Sequence, residues 1–282
     1  MRSTRRPTRL SRFATTVALA AIGPLTPAAD AVVCANREPM PAPLAGYVGW
    51  WNGSSAVCIA PNWIISAKHV GGDVNGTFWM RGESYRAVEV VRHATQDIQL
   101  IRVAETLPGY HPLASGVEAG DLAILGGWGR TAGNAVAGGY DWSGPQQETW
   151  GANLINNAGT LIVIDFDSLD AEDSVPYESL FAVNDSGAGL FVYSAGGTLE
   201  LAGIAVSVTG WNQTVVGNAA FCVNLAYLRG WIDPIVDPGR PITSSTVAPR
   251  ASLFDSGTHS MLWGGALILG LAWKRRRGHP AA

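Results

Sequence analysis

A chain of 282 residues that is 47% hydrophobic and 15% charged has room for one or two folded domains and is too apolar to stay disordered. Its formal charge is only −3, but the cations crowd the two ends: residues 32–236 hold 8 Lys and Arg against 19 Asp and Glu, near −11. Phosphate recognition needs clustered Lys and Arg, so this balance argues against nucleic acid as a partner.

Residues 1–31 open with Arg2, Arg5, Arg6, Arg9 and Arg12, continue in an apolar run from Phe13 to Leu25, and end in Ala29-Asp30-Ala31. A basic start, an apolar stretch and an Ala-x-Ala site predict a secretory leader, processed by a signal peptidase. The run is too short, and broken by Pro24, for a membrane anchor. Residues 32–236 then show short apolar segments, each strand-length: Trp63–Ala67, Ile98–Val103, Leu122–Leu125, Leu161–Phe166, Gly189–Tyr193 and Leu199–Val208. No long helical period interrupts them, and 34 glycines supply turns, so the pattern predicts an all-β sandwich or barrel. The Gly-rich span 131–144 is expected to be a surface loop rather than a phosphate cradle, because no Lys-Ser/Thr follows it. Residues 237–252, rich in Pro, Ser and Thr, form a linker.

Residues 253–282 carry Asp255-Ser256-Gly257, an apolar stretch from Met261 to Trp273, and Lys274-Arg275-Arg276-Arg277. A short polar motif, a hydrophobic segment and a terminal basic cluster resemble the PEP-CTERM type of bacterial sorting signal in an Asp-Ser-Gly variant, although no Pro-Glu-Pro occurs. The resemblance implies transient holding in the inner membrane and cleavage by an exosortase-type transpeptidase. It further implies delivery to the periplasm, the cell surface or the medium of a Gram-negative-type bacterium. A plain tail anchor is the alternative, with basic residues favouring a cytoplasmic C-terminus.

Chemistry concentrates at Asn184-Asp185-Ser186-Gly187-Ala188-Gly189. A serine among small residues can sit on a tight turn with backbone N–H groups free for a developing oxyanion, although Asp-Ser-Gly also makes ordinary turns. Two partners lie upstream. His69 follows the apolar strand ending in Ser66-Ala67, and Asp97 opens Asp97-Ile98-Gln99-Leu100-Ile101-Arg102-Val103. Histidine, aspartate, serine is one of the three chain orders used by serine hydrolase triads. No Cys-x-x-Cys and no His-x-x-x-His is present, so neither metal nor cofactor is expected. His93 and His111 lack comparable surroundings and are expected at the surface, with Asp73 and Asp121 as fallback acids.

The wider pattern resembles the trypsin-like serine peptidases. Cys58-Ile59-Ala60-Pro61-Asn62-Trp63-Ile64-Ile65-Ser66-Ala67-Lys68-His69 is similar to that family's strand-turn-strand ending in Thr-Ala-Ala-His. Gln96–Val103 looks like its Asn-Asp-Ile-Ala-Leu-Leu, Gly127-Trp128-Gly129-Arg130-Thr131 its Gly-Trp-Gly-x-Thr, and Asn184–Leu190 its Gly-Asp-Ser-Gly-Gly-Pro-Leu. Leu201-Ala202-Gly203-Ile204 and Tyr227–Ile232 approximate its last strand and closing turn. The resemblance implies two antiparallel six-stranded β-barrels with the site in the cleft between them. It implies His69 as general base, Asp97 as its orienting acid and Ser186 as nucleophile. The N–H groups of Asn184 and Ser186 would form the oxyanion hole, and Leu180 would stand in the specificity pocket, six residues before the nucleophile.

Several departures qualify that picture. Val70 takes the place of the cysteine after the catalytic histidine, so the usual bridge is missing and packing is expected to hold the His69 loop; a Cys34–Cys222 bridge is left open. Asn184 replaces the glycine that gives the main oxyanion donor, and Ala188 replaces the next one. In zymogens of the family the residue matching Asp185 pairs with a new amino terminus. No Ile-Val-Gly-Gly is present here, so Asp185 is expected to use an arginine or backbone donors, with no activating cut. Leu180 in place of the trypsin aspartate argues against Lys or Arg as the selected residue. No histidine lies between His111 and His259, which argues against acidic ones, and an apolar or small residue remains. The expected activity is an exported serine endopeptidase acting on a peptide or protein through an acyl-enzyme. A catalytically weak or inactive binding or matrix protein on the same scaffold, and an esterase, are the alternatives.

Overall fold

The computed structural model describes residues 32–239, so the leader, most of the linker and the C-terminal tail lie outside the described residues. A short strand β1 (Val33–Cys34) precedes β2 (Val48–Trp51), β3 (Ser54–Ala60) and β4 (Trp63–Ser66). A 3₁₀ turn at Lys68–Val70 follows, then β5 (Thr77–Met80), β6 (Glu83–Arg92) and β7 (Gln99–Val103). Strands β2 to β7 close into a barrel in the order β2-β3-β4-β7-β6-β5. Its interior follows from period-two alternation: Trp51, Phe78, Ile64 and Ile101 point inward, and the closure leaves no sheet edge.

The second half comprises β8 (Leu122–Gly127), β9 (Ala135–Val136), β10 (Gly139–Asp141), β11 (Thr149–Leu154), β12 (Asn157–Ala158), β13 (Leu161–Asp165) and β14 (Ser179–Leu180). It continues with β15 (Gly189–Tyr193), β16 (Leu199–Val208), β17 (Gln213–Val215) and β18 (Ala219–Asn224). Seven of these form one curled sheet ordered β11-β8-β15-β16-β18-β13-β12. The chain is thus mostly β, with a closed six-stranded barrel and a seven-stranded half-barrel, the architecture of a trypsin-like double barrel. The expected second six-stranded barrel differs in detail. The two-residue β12, paired with β13, adds a seventh strand, and no ladder joins it to β11 at the other end of the sheet.

Three further differences have physical causes. The β5–β6 hairpin escapes the apolar reading because β6 intersperses Glu83, Arg86, Glu89 and Arg92 among its apolar residues, with a register shift between Ala87 and Glu89. The Gly-rich span 131–144 is not a plain loop: β9 and β10 form a hairpin that pairs with β17 in a small sheet. Residues 229–236 form an eight-residue helix, α1, whose Ile232 is buried in the core shared by both halves. None of Cys34, Cys58 and Cys222 is in a disulfide, and all three are buried, with burial pushing the Cys58 and Cys222 thiols well up.

Candidate active site

His69 sits on the 3₁₀ turn directly after β4, and Asp97 lies two residues before β7. Strands β4 and β7 are ladder neighbours, with Ser66 opposite Gln99, so the sheet itself brings the two residues together. One Asp97 oxygen accepts from the His69 backbone N–H at 2.8 Å, and the other lies 2.6 Å from His69 Nδ1. On the far side of the ring, Nε2 is 2.7 Å from Ser186 Oγ, although Ser186 is 117 residues away in sequence. A ring nitrogen facing a carboxylate is a donor, which leaves Nε2 as the acceptor for the serine hydroxyl. The structure therefore gathers the three sequence-derived residues into one hydrogen-bonded chain.

Side-chain hydrogen bonds, as well as packing, hold the His69 turn without the missing disulfide. Gln99 Nε2 donates to the carbonyls of Ala67 (3.1 Å) and Gly71 (2.7 Å), and Trp51 Nε1 also reaches Gly71 (3.0 Å). Asn52 Nδ2 donates to the carbonyl of Val70 at 2.6 Å, so the residue in the cysteine's place is still tied to the turn between β2 and β3.

Ser186 is presented differently. Ala182 to Asp185 form a turn closed by Asp185 N–H to the Ala182 carbonyl (3.1 Å), with Asn184 at φ +69°. Asn is among the few side chains that tolerate this left-handed region, which explains how it stands where glycine is usual. Gly187 follows at φ +89°, and a Cβ there would strike the Ser55 carbonyl oxygen and Ser66 Oγ. The N–H groups of Asn184 and Ser186 have no acceptor among the described residues. Two unpaired donors beside a serine hydroxyl form a ready acceptor site for a negative oxygen.

Asp185 is fully buried behind this turn. Its Oδ2 accepts from Ala182 N–H at 2.9 Å, and Gly129 N–H is a second donor, while Oδ1 has no partner. The expected alternatives resolve in favour of backbone donors over an arginine. Burial pushes this carboxyl well above the usual carboxylate range, with the two backbone donors opposing.

The two halves are pinned across the site. Ser55 N–H donates to the Ser186 carbonyl (3.0 Å), and Ser55 Oγ accepts from Trp128 N–H (2.8 Å). Gln146 Nε2 reaches the carbonyls of Gly53 (2.8 Å) and Trp128 (2.7 Å). Nothing in the sequence singles out Ser55 or Gln146, since each acts through a contact between distant segments; Ser66 stands in the motif before His69, but its contact with the serine turn is not visible there.

A cleft of about 680 Å³ opens over Ser186, walled by Phe181, Ala182 and Val183 on one side and by Ala205, Val206 and Val208 of β16 on the other. Leu180, the expected pocket residue, does not line it. Its side chain is buried in the second core with Phe181 and Val32, because β14 turns it inward opposite Val33. His111, expected at the surface, is also buried. Its Nε2 accepts from Tyr47 N–H at 3.1 Å, its Nδ1 lies 3.2 Å from the Leu199 carbonyl, and burial lowers its pKa to about 4. It is a neutral structural residue. Asp121 caps a turn by accepting from Glu118 N–H, and Asp73 lies in the loop after His69. Among the described residues no cluster of His, Cys, Asp and Glu could hold a metal, and no helix is long and apolar enough to cross a membrane.

No protein-family description matches this chain, and no curated protein matches its sequence. Solved structures do match: neuropsin, a serine protease expressed in the limbic system of mouse brain, aligns at a TM-score of 0.54 and 12% identity, covering 71% of this chain and 98% of that one. At that identity the likeness concerns the backbone, and the fold it shares with this chain is that of the trypsin-like serine proteases.

Proposed function

We propose that the chain is an exported serine endopeptidase, and the observation that carries this reading is the continuous hydrogen-bonded line Asp97–His69–Ser186 beside two unpaired N–H donors. In the proposed reaction Ser186 Oγ attacks the carbonyl carbon of the scissile bond while His69 Nε2 takes its proton. The carbonyl oxygen becomes negative and is held by the N–H groups of Asn184 and Ser186. His69, now cationic and stabilised by Asp97, returns the proton to the departing amine, leaving an acyl-serine. Water then enters by the same route and adds to the acyl carbon while giving a proton to His69; the bond to Ser186 Oγ breaks, His69 returns that proton to the serine oxygen, and the acid is released. The left-handed Asn184 supports activity over a non-catalytic scaffold, since its N–H stays unpaired instead of being used inside the turn.

The walls of the cleft support a small or aliphatic residue on the acyl side. Ala182, Val183, Ala205, Val206 and Val208 offer no charge, and the one acid in the lining, Asp185, is sealed behind the turn. A Lys or Arg side chain would enter an uncharged pocket without a partner, at a cost no neighbouring group offsets. Export through residues 1–31 and transient membrane holding through residues 253–282 complete the proposal, with signal peptidase and an exosortase-type enzyme as processing partners.

A fluorophosphonate probe tests the chemistry directly. The folded protein is expected to be labelled at Ser186 and Ser186→Ala to stay unlabelled with a melting temperature within about 2 °C, as for a partly exposed hydroxyl. Folded wild type that resists the probe would end the enzyme reading. A peptide library against simple esters then separates peptidase from esterase.

A further inference from the structure

We propose that a second cavity, on the far side of Asn52 from Ser186, receives the leaving-group side of the substrate and selects a cationic side chain there, Lys or Arg. This rests on the peptidase reading above. The cavity measures about 380 Å³ and is lined by Trp50, Trp51, Asn52, Asp73, Thr77 and Trp79 among others. Asn52 lines both this cavity and the cleft over Ser186, so the two adjoin. The same Asn52 is tied to the Val70 carbonyl, and the loop carrying Asp73 follows directly from the His69 turn. The cavity therefore lies between two segments that flank His69.

Direction follows from the proton. His69 Nε2 must hand its proton to the departing nitrogen, so the departing segment leaves on the His69 side. The acyl side takes the opposite wall, formed by Ala182, Val183 and β16. A chain leaving past His69 meets Asn52 first and the aromatic cavity next.

The lining chooses the side chain. Trp50 and Trp79 stand directly opposite one another in the β2–β5 register, on the outer face, while their neighbours Trp51 and Phe78 fill the barrel. Trp79 is 48% exposed, a large indole surface at a barrel that otherwise turns its aromatics inward. The indole face is the best uncharged partner for a cation. Asp73 is the charged residue of the lining, with an 86% exposed side chain. Its nearest cation, Arg92, stands 3.7 Å away and is already bonded to the Gly72 carbonyl at 2.5 Å. Indole faces plus a lightly engaged carboxylate suit an ammonium or guanidinium, and the charge near −11 on residues 32–236 draws basic segments toward the molecule.

The test is a set of quenched-fluorescence peptides sharing one acyl-side sequence, with Lys, Arg, Ala, Phe or Glu at each of the first three positions after the scissile bond. At one of these positions kcat/KM is expected to be about ten- to thirtyfold higher with Lys or Arg than with Glu, falling as salt rises. Asp73→Asn and Trp79→Ala should each shrink that ratio, and the exposed Asp73→Asn keeps the test open should Trp79→Ala fold poorly. Equal rates across the set, or a preference for Phe that Asp73→Asn leaves untouched, would overturn the inference while sparing the peptidase reading. Failure to cleave any peptide would remove both.

Discussion

The two halves of the molecule hold their site residues by opposite means. The closed barrel places His69 and Asp97 at neighbouring strand ends, half-exposed, in ordinary backbone conformations fixed by a ladder. The half-barrel presents Ser186 on a turn with two left-handed residues and a fully buried acid behind it. A proton relay needs only correct distances, which a ladder supplies. An oxyanion site needs N–H groups that stay unpaired, and a chain keeps such groups unpaired only where its backbone is forced. The sharpest way to break this contrast is to add one methyl group to each half. Gly187→Ala must adopt φ +89° and push against the Ser55 carbonyl, so kcat is expected to fall by about a thousandfold or more, with a stability loss of about 2–3 kcal/mol. Gly71→Ala in the His69 turn, at φ +72° and ψ −139° but with 3.6 Å of room, should cost about 1–3 kcal/mol and leave kcat within a few-fold. Peptide kinetics on folded protein decide it; a similar loss of kcat in both would mean that the serine turn is not specially constrained.

A second, smaller effect concerns the acid behind that turn. Cleavage after Ala31, as the leader motif implies, would make Val32 the amino terminus. Val33 faces Leu180 and Cys34 faces Ser179, so continuing that register directs the buried Val32 toward Phe181, the residue before the Ala182 whose N–H bonds Asp185. With the chain uncut, burial raises the Asp185 pKa, so the contribution of this carboxyl to stability is lost as pH rises through that raised value. An ammonium at Val32 would reverse the sign, pulling that pKa down and moving the loss to acid. Protein beginning at Val32 is therefore expected to be more active near pH 8 than protein with added residues before it, by about tenfold. Asp185→Asn should erase the gap. Matching pH profiles for the two amino termini would show that Asp185 works through backbone donors alone, with leader removal irrelevant to activity.

How far the sequence announces each half follows from the same contrast. Strand β16 is legible from Leu199 to Val208 and β15 from Gly189 to Tyr193, because apolar runs bounded by turns mark strands whatever they pair with. His69 and Asp97 are legible because each follows or precedes such a run, and the ladder does the rest. Ser55 and Gln146 are not legible, since each bonds a segment more than 15 residues away and nothing local marks it. Leu180 misleads for a related reason. Its distance from Ser186 in sequence places it near the cleft, but pairing with β1 decides which way it faces, and that pairing turns it into the core. His111 misleads because a buried neutral histidine needs one donor and one acceptor from remote backbone, here Tyr47 and Leu199.

The smallest effect would sharpen the comparison by asking whether the half-barrel carries a second buried acid with measurable consequences. Glu178, beside β14, is buried and accepts from Asn153 Nδ2 at 2.8 Å and from Val175 N–H at 3.2 Å. Burial raises its pKa to about 8; the Val175 and Asp167 N–H groups oppose that rise, and the Asp167 and Asp173 carboxylates reinforce it. In the unfolded chain the same carboxyl titrates near 4.5, so between that value and about 8 the folded state binds the extra proton. Its contribution is complete below pH 4.5 and is lost as pH rises through about 8, with a slope of at most about 1.4 kcal/mol per pH unit. Glu178→Gln keeps the shape and removes the titration. Between pH 5 and pH 8 the variant's unfolding free energy is expected to change less than that of the wild type. Denaturant titrations at those pH values measure the difference, and parallel curves would mean that the Asn153 and backbone donors already keep Glu178 ionised in the fold.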